Sequence, residues 1–324
     1  MSAAQSETLA WPASLAGTPS IRVIEQAIAR RRLSHSLLLT GGDLETLALV
    51  AGAMADRLLN TSASSARFAP AQHPDCFHLR PAGKMRLIGA DPTRELINKI
   101  SVSPVVSIRK VAIIHECDRM NLSAANIFLK TLEEPPADTT ILLLTTRPYA
   151  LLPTIRSRCL TFRFPAATAA YSPDGWPAWL ADYAAWLARL SGGEGVAGKR
   201  AITDSLMAVY GLASRFGGIL EFATQEVWKK QKAALPPDIK EDEEVAIETG
   251  IINDLRLRLF TEIEQATRAF ALPRLNANAP AITRALTDSI KKLEHVTGLL
   301  RLNLNESAAL ENFLLASLRH WTRR

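Results

Sequence analysis

Residues 111–159 read VAIIHECDRMNLSAANIFLKTLEEPPADTTILLLTTRPYALLPTIRSRC, and this stretch decides the fold. Residues 111–114 and 140–145 are short apolar runs, rich in β-branched side chains and bounded by turn formers, which is typical of strands covered on both faces of a parallel sheet. Between them we expect a helix that Asn121 or Ser123 caps and a Pro-Pro pair ends. The stretch therefore predicts two parallel strands joined by a helix.

The rest of the first half adds strands and helices of the same kind. Residues 36–40 (SLLLT) form a predicted first strand, which a Gly-Gly turn joins to a helix that continues to residue 59. Cys76–Leu79 and Leu160–Phe164 are two more short apolar strands, and 94–100 (RELINKI) is a short amphipathic helix. The first half thus predicts an α/β domain built on a parallel sheet.

After Pro165 the sequence changes to helical periodicity without strand alternation. A broad apolar face that includes Trp179, Tyr183 and Trp186 predicts a core helix over 176–190. The charge blocks of 229–244 (KKQKAALPPDIKEDEE) predict an exposed loop. Further helices are predicted over 202–228, 243–270, 279–302 and 306–320.

Length and composition indicate a soluble protein. With 324 residues, 48% hydrophobic and 22% charged, the chain is long enough for two or three domains with real cores. It has no run of 18 apolar residues, and its first residues lack a basic region followed by an apolar one, so we expect neither a membrane span nor a secretory signal. The expected location is the cytoplasm.

The formal charge lies entirely in the first half. Residues 1–165 contain 19 Lys and Arg against 13 Asp and Glu, a net charge of +6, whereas residues 166–324 contain 19 of each. A basic half can attract nucleic acid or an acidic partner surface. The alternative is a solvated surface without a partner.

Several segments in the first half occur together at a characteristic spacing: HECDRMN, AANIFLKTLEEPP, TTRP and LLPTIRSRC. With them the sequence resembles the delta-prime subunits of the bacterial DNA polymerase III clamp loader, which are members of the AAA+ family. The resemblance extends upstream to 32–41 and 73–114, and weakly to the C-terminal NLNESAALENFLLASL. It implies an AAA+ core domain at 1–165, a small helical lid domain at 166–200 and an all-helical collar for oligomerisation at 201–324.

The predicted nucleotide site departs from the ATP-binding members of this family. Their glycine-rich loop ends in Gly-Lys-Ser/Thr, with glycines that let backbone N–H groups face the phosphates and a Lys that reaches them. Here the loop reads TGGDLETLALV: Leu44 and Thr46 stand where glycines belong, Leu47 replaces the Lys, and Asp43 and Glu45 add negative charge. These substitutions predict a degenerate P-loop.

A second position agrees with this prediction. ATP-hydrolysing relatives end the next core strand with Asp-Glu, the Asp holding Mg²⁺ and the Glu orienting water. The pair here is His115-Glu116, and Mg²⁺ prefers oxygen ligands, so Glu116 is interpreted as a surface or capping carboxylate. Thr145, where relatives sense the γ-phosphate, is expected to satisfy backbone groups at its strand end. We expect no cofactor on this chain, with ATP and Mg²⁺ on neighbouring subunits as the resemblance implies.

A metal site is not expected either. Many relatives carry a four-cysteine zinc module after the first helix, whereas this chain has Cys76 alone in that region, with His73 and His78 beside it and no fourth ligand nearby. The other cysteines, Cys117 and Cys159, are widely spaced and form neither a disulfide framework nor a zinc pair.

The Ser157-Arg158-Cys159 motif carries the main functional prediction. In the family, the Arg of this motif projects into the ATP site of the neighbouring motor subunit and acts as an arginine finger, so Arg158 is the predicted catalytic residue, acting in trans. Arg156 is its competitor, and an exposed Arg with a local ion pair is the alternative. Cys159 is expected to be a small buried hydrophobe, since no base is placed beside it by sequence.

The resemblance implies a non-hydrolysing clamp-loader subunit. It would assemble in a hetero-oligomeric ring with the gamma/tau motor subunits and the delta subunit, and help load the sliding clamp on primed DNA during replication. Two alternatives stay open: an active AAA+ ATPase with an atypical nucleotide site, and a paralogous AAA+ adaptor outside replication.

Overall fold

In the computed structural model, the first half of the chain folds around a five-stranded sheet. The structure describes residues 8–61, 67–165, 172–233, 235, 239–275, 279–300 and 305–323. The strands are β1 (Ser36–Gly41), β2 (Cys76–Leu79), β3 (Lys110–Ile114), β4 (Thr139–Thr145) and β5 (Leu160–Phe164). Their order is β2-β3-β4-β1-β5, and each neighbouring pair is parallel.

In the first half, α1 precedes β1 and the other helices lie between strands, and the helices of the second half follow one another. The first half contains α1 (Pro19–Ala29), α2 (Leu44–Leu59), α3 (Ala90–Ser101), α4 (Leu122–Glu133) and the single turn α5 (Pro153–Arg156). The second half contains α6 (Trp176–Ser191), α7 (Lys199–Lys232), α8 (Glu241–Ala271), α9 (Ala279–Leu300) and α10 (Glu306–Thr322).

The sheet is covered by apolar side chains on both faces, which explains why its strands are continuous apolar runs. Leu37 and Leu39 of β1 belong to one buried cluster with side chains of α1 and α2. Leu38, between them, belongs to a second cluster with Phe128 of α4 and Ile100 of α3. Successive residues of a strand point to opposite faces, so β1 contributes to both cores.

The described chain divides into two compact units. The first comprises Met1–Tyr171 with Leu235–Ile247, and the second Ser172–Ala234 with Glu248–Arg324. The predicted α/β fold class, a parallel sheet domain followed by an all-helical region, is confirmed. The predicted division of the helical region into a lid at 166–200 and a collar at 201–324 stays a prediction.

Aromatic side chains form the centre of the second unit. Trp176, Trp179, Tyr183 and Trp186 of α6 are at most 1% exposed, and Trp179 stacks on Tyr183 with ring centroids 5.5 Å apart. Phe216 of α7 packs edge-on against both Trp176 and Trp179. The predicted core role of this aromatic face is confirmed.

The predicted loop at 229–244 is wrong at its ends. Helix α7 continues through Lys232 and α8 begins at Glu241. The Lys residues favour the C-terminal end of a helix and the acidic run favours the N-terminal end, because both complement the helix dipole. Residues 234 and 236–238 of this loop lie outside the described residues, and so do residues 62–66 and 166–171.

Of the helices that the structure describes, α7 is long and apolar enough to cross a membrane by length and composition. Within its most apolar stretch, 33% of the residues are buried inside the protein. Core helices of soluble proteins pass the same test, so this observation is weak evidence for a membrane span.

Candidate functional site

The connection between β1 and α2 is the place where an ATP-binding relative would carry its phosphate loop. Strand β1 ends at Gly41 and α2 begins at Leu44, so only Gly42 and Asp43 lie between them. Asp43 caps the helix: its Oδ1 accepts the backbone N–H of Thr46 at 2.6 Å, and its Oδ2 accepts the Thr46 hydroxyl at 2.7 Å. A side-chain carboxylate therefore occupies the helix N-terminus, the position that binds phosphate in phosphate-binding loops.

Leu47, which aligns with the phosphate-binding lysine, is fully buried. Its side chain packs against Gly41, where an added Cβ would lie 3.0 Å from Leu47 Cδ2 and 3.0 Å from the backbone oxygen of Phe164. Gly41 is thus required by the close approach of α2 and β5 to β1. In this connection the glycine serves packing, and an apolar side chain replaces the cation.

An open depression of about 450 Å³ lies beside this connection. It is lined by Gly41, Gly42, Arg163, Phe164 and Pro165. Arg163, an exposed residue of the edge strand β5, is the only cationic side chain of this lining. An atypical nucleotide site at this place would have to rely on that single exposed guanidinium.

His115 follows β3 at the position where relatives have the Mg²⁺-holding Asp. Its Nε2 lies 3.1 Å from Nδ1 of His78 in β2, and the two rings stack with centroids 5.4 Å apart. Burial, and then the Arg80 cation, lower the pKa of His78 to about 3 and hold the pKa of His115 well below its ordinary value. Both imidazoles are therefore neutral at pH 7, and this position offers Mg²⁺ no carboxylate oxygen.

Glu116 is held by two arginines. It has a positive φ of 47°, and its Oε2 lies 2.5 Å from Nη2 of Arg86 and 3.7 Å from Nε of Arg119. Arg86 is only 4% exposed. The interpretation of Glu116 as a surface or capping carboxylate is therefore wrong, because the buried Arg86 needs a counter-charge and Glu116 provides it.

Thr145, at the end of β4, joins the strand to the segment after β3. Its Oγ1 accepts the backbone N–H of Arg147 at 2.9 Å and donates to Oδ1 of Asp118 at 2.6 Å. The Arg147 guanidinium also pairs with Asp118. The predicted backbone-satisfying role of Thr145 is confirmed, and its bond to Asp118 is an addition that the sequence did not indicate.

Cys76 and His78 contact each other, whereas His73 has a different partner. The Cys76 Sγ lies 3.8 Å from His78 Nε2, and burial raises the pKa of Cys76 to about 12. His73 Nδ1 instead accepts the backbone N–H of Asp75 at 3.0 Å. Among the described residues, no group of three or more His, Cys, Asp and Glu side chains is placed to hold a metal ion.

Arg158 lies at the surface, between the short turn α5 and the edge strand β5. Its side chain is 33% exposed. Nε donates to Oε1 of Glu133 at 2.7 Å, Nη2 contacts the same carboxylate, and Nη1 donates to the backbone oxygen of Thr154 at 2.9 Å. Arg158 thus lies at the sheet edge, and the local ion pair that we left open as the alternative is observed.

The other residues of the motif have different surroundings. Ser157 is exposed and its hydroxyl donates to the Thr154 oxygen at 3.1 Å. Cys159 is half-buried against the core, and burial raises the pKa of its thiol to about 11, so the thiol stays protonated at pH 7. Arg156, the competitor, lies over the ring of the exposed Tyr149 at 5.5 Å.

Glu133 is the residue of this surface that the sequence analysis missed. It is the last residue of α4, where a carboxylate is at the unfavourable end of the helix dipole. The position of Glu133 just before the helix-ending Pro-Pro pair of the LEEPP segment was the signal that the sequence offered. A Glu at a helix C-terminus indicates a cationic partner from elsewhere in the fold.

Comparisons with known proteins agree with the sequence motifs. A family model described as DNA polymerase III, delta subunit, matches residues 18–168. DNA polymerase III subunit delta' of Pseudomonas aeruginosa is 40% identical over 109 residues, which are 34% of this chain and 32% of that protein. The same subunit of Bacillus subtilis is 32% identical over 153 residues, 44% of this chain and 46% of that protein.

Other relatives are named tau and gamma-related subunits of DNA polymerase III. DNA polymerase III subunit tau of Bacillus subtilis is 29% identical over 157 residues, 45% of this chain and 27% of that protein. A solved structure of a DNA polymerase III gamma-subunit-related protein from Thermotoga maritima aligns with 92% of this chain and 99% of its own, at 22% identity and a TM-score of 0.44.

The matches to the curated relatives are partial. They span less than half of the length of each of these relatives, from 27% for tau to 46% for the Bacillus subtilis delta' subunit. The family-model match at residues 18–168 includes the LEEPP and Ser-Arg-Cys motifs. Residues 18–168 of this chain therefore resemble the DNA polymerase III delta-subunit family, and among its members they resemble the delta-prime subunits.

Proposed function

We propose that this chain is a clamp-loader subunit that does not hydrolyse ATP itself and supplies Arg158 to the ATP site of a neighbouring subunit. Its partners in this proposal are the gamma/tau motor subunits and the delta subunit of a hetero-oligomeric ring in the cytoplasm. Through that ring it helps load the sliding clamp on primed DNA. ATP and Mg²⁺ are held by the neighbouring motor subunits.

The observation that carries the proposal is a contrast within the first unit. At the β1–α2 connection the carboxylate of Asp43 and the buried side chain of Leu47 take the places of phosphate and lysine. At the sheet edge, by contrast, Arg158 presents a permanently charged guanidinium at the surface. A chain with these two features is suited to serve a nucleotide that another subunit holds.

The role of Arg158 follows from the chemistry of phosphoryl transfer. Negative charge on the γ-phosphate oxygens is redistributed as the bond to the leaving group breaks, and a planar cationic fork beside them stabilises that charge. In well-studied cases an arginine finger accelerates hydrolysis at the site that it enters by about 10³–10⁵-fold. Arg158 would provide this stabilisation only after assembly, because the nucleotide lies on the neighbour.

The test is the Arg158→Ala variant in a complex reconstituted with the motor and delta subunits. We expect normal ring assembly by size-exclusion chromatography. We also expect DNA-stimulated ATP turnover to fall by about tenfold or more, which is less than the rate acceleration that an arginine finger gives at the site it enters. Arg158→Lys should recover little, since it keeps the charge but loses the planar fork.

Arg156→Ala is the matched control, two residues away, and should turn over ATP like the wild type. Unchanged turnover with Arg158→Ala would refute the finger role. If Arg156→Ala lowers ATP turnover and Arg158→Ala does not, the finger role belongs to Arg156. Failure of the chain to associate with these subunits at all would favour an adaptor outside replication.

A further inference from the structure

The LEEPP and Ser-Arg-Cys segments, 25 residues apart from Glu133 to Arg158, meet at one guanidinium. Glu133 Oε1 accepts from Nε of Arg158 at 2.7 Å and also contacts Nη2. From the other side, the backbone oxygen of Thr154 accepts from Nη1 at 2.9 Å. The guanidinium is therefore held along one edge and at one further corner.

The donors that remain are the ones an anion would use. A guanidinium carries five N–H groups in a rigid plane. Glu133 engages the Nε–H and one N–H of Nη2, and Thr154 engages one N–H of Nη1, with the Ser157 hydroxyl a weaker contact at 3.4 Å. The second N–H of Nη2 lies on the side facing Nη1, so within the part of the chain that the structure describes the end of the fork stays available for phosphate oxygens.

The position of Glu133 is not explained by the stability of its own helix. It is the last residue of α4, where a negative charge opposes the helix dipole, and Glu134 follows it directly. Its side chain is 48% exposed, so burial does not account for it either. The contact that Glu133 does make is with Arg158.

We infer that Glu133 is a positioning residue for Arg158, which holds the guanidinium by its Nε edge and leaves the end of the fork facing outwards. This inference rests on the proposed function. An unrestrained arginine has many side-chain rotamers, and the ion pair reduces the number that must be lost when the fork meets a phosphate.

The test uses Glu133→Gln in the reconstituted complex, with Glu134→Gln as the matched control on the neighbouring residue. We expect Glu133→Gln to lower kcat for DNA-stimulated ATP hydrolysis by about 2- to 5-fold, the range set by the worth of an exposed ion pair. KM for ATP and ring assembly should stay unchanged, because in this proposal Glu133 acts only on the orientation of Arg158. Glu133→Asp should recover part of the rate, and Glu134→Gln should match the wild type.

A double-mutant cycle separates positioning from a purely structural role. Because Glu133 acts through Arg158, Glu133→Gln should cause no further loss in the Arg158→Ala background. The inference is overturned if Glu133→Gln equals Glu134→Gln, if it raises kcat, or if the two losses multiply. If Arg158→Ala itself has no effect, the proposed function fails, which is a different outcome from failure of the positioning role.

Discussion

At the scale of single residues, one carboxylate decides what the N-terminus of α2 binds. Asp43 satisfies the backbone N–H of Thr46 that a phosphate loop would present to its ligand. The sequence predicted unfavourable negative charge at this place, but not that the charge is used as a cap. A cap depends on where the helix begins, and boundaries are what periodicity specifies least well.

The capping role of Asp43 predicts a cost in stability. Asp43→Ala should lower the free energy of unfolding by about 0.5–2 kcal/mol, because the N–H of Thr46 loses its acceptor. Asp43→Asn keeps a side-chain acceptor and should retain most of the stability. Urea denaturation of the full chain, followed by circular dichroism, measures both.

Glu45→Ala is the control for the Asp43 series, since Glu45 is an exposed acid in the same first turn. Its loss removes only an interaction with the helix dipole and should cost less than the loss of Asp43. Equal stability of Asp43→Ala and the wild type would contradict the capping role.

At the scale of elements, neighbouring strands are coupled by polar contacts that no local pattern shows. Strand β3 begins at Lys110, one residue before the predicted start, and the buried Nζ of Lys110 donates to the backbone oxygens of Ile100 and Val102 at 2.7 and 2.6 Å. Those oxygens lie at the end of α3. The sequence placed Lys110 outside the strand because a lysine interrupts an apolar run, and only the tertiary contact shows its use.

Asp75 is a second example at the same scale. It accepts backbone N–H groups of Val105, Val106 and Ser107 at 2.6, 2.8 and 2.7 Å and so fixes the segment before β3. Burial alone would raise the pKa of Asp75, but the three donors outweigh it and hold the pKa below its ordinary value. No local pattern in the sequence shows these long-range partners.

The stacked His78–His115 pair between β2 and β3 predicts a dependence of stability on pH. Both folded-state pKa values are lowered by burial, so the unfolded chain binds protons that the folded chain does not. The contribution of the pair to the free energy of unfolding is therefore complete above the unfolded-state pKa of about 6.5. It is lost as pH falls towards the folded-state pKa values, by at most about 1.4 kcal/mol per pH unit for each His. Removing both imidazoles should flatten this decline.

The measurement compares thermal unfolding of the wild type and a His78→Gln/His115→Gln variant between pH 7.5 and 4.5. Carboxylates also titrate in this range, so the difference between the two slopes is the quantity of interest. We expect the melting temperature of the wild type to fall more steeply below about pH 6.5. Parallel curves would contradict the assignment of two neutral, half-buried imidazoles.

At the scale of the whole molecule, the sequence predicted the strands, the change from α/β to all-helical structure and the aromatic core of α6. These features depend on apolar periodicity, which local sequence contains. The Asp43 cap, the Arg86–Glu116 pair and the Glu133–Arg158 pair depend on residues brought together by the fold. The motifs showed which residues to examine, and the geometry supplied their partners.

The claim that this chain serves a nucleotide without holding one is tested most directly by equilibrium titration of the purified full chain with a fluorescent ATP analogue, with and without Mg²⁺. We expect no saturable signal under either condition, since Asp43 and Leu47 occupy the places of phosphate and lysine. Saturable, Mg²⁺-dependent binding in the micromolar range, displaced by unlabelled ATP, would contradict the account and favour an active ATPase with an atypical site.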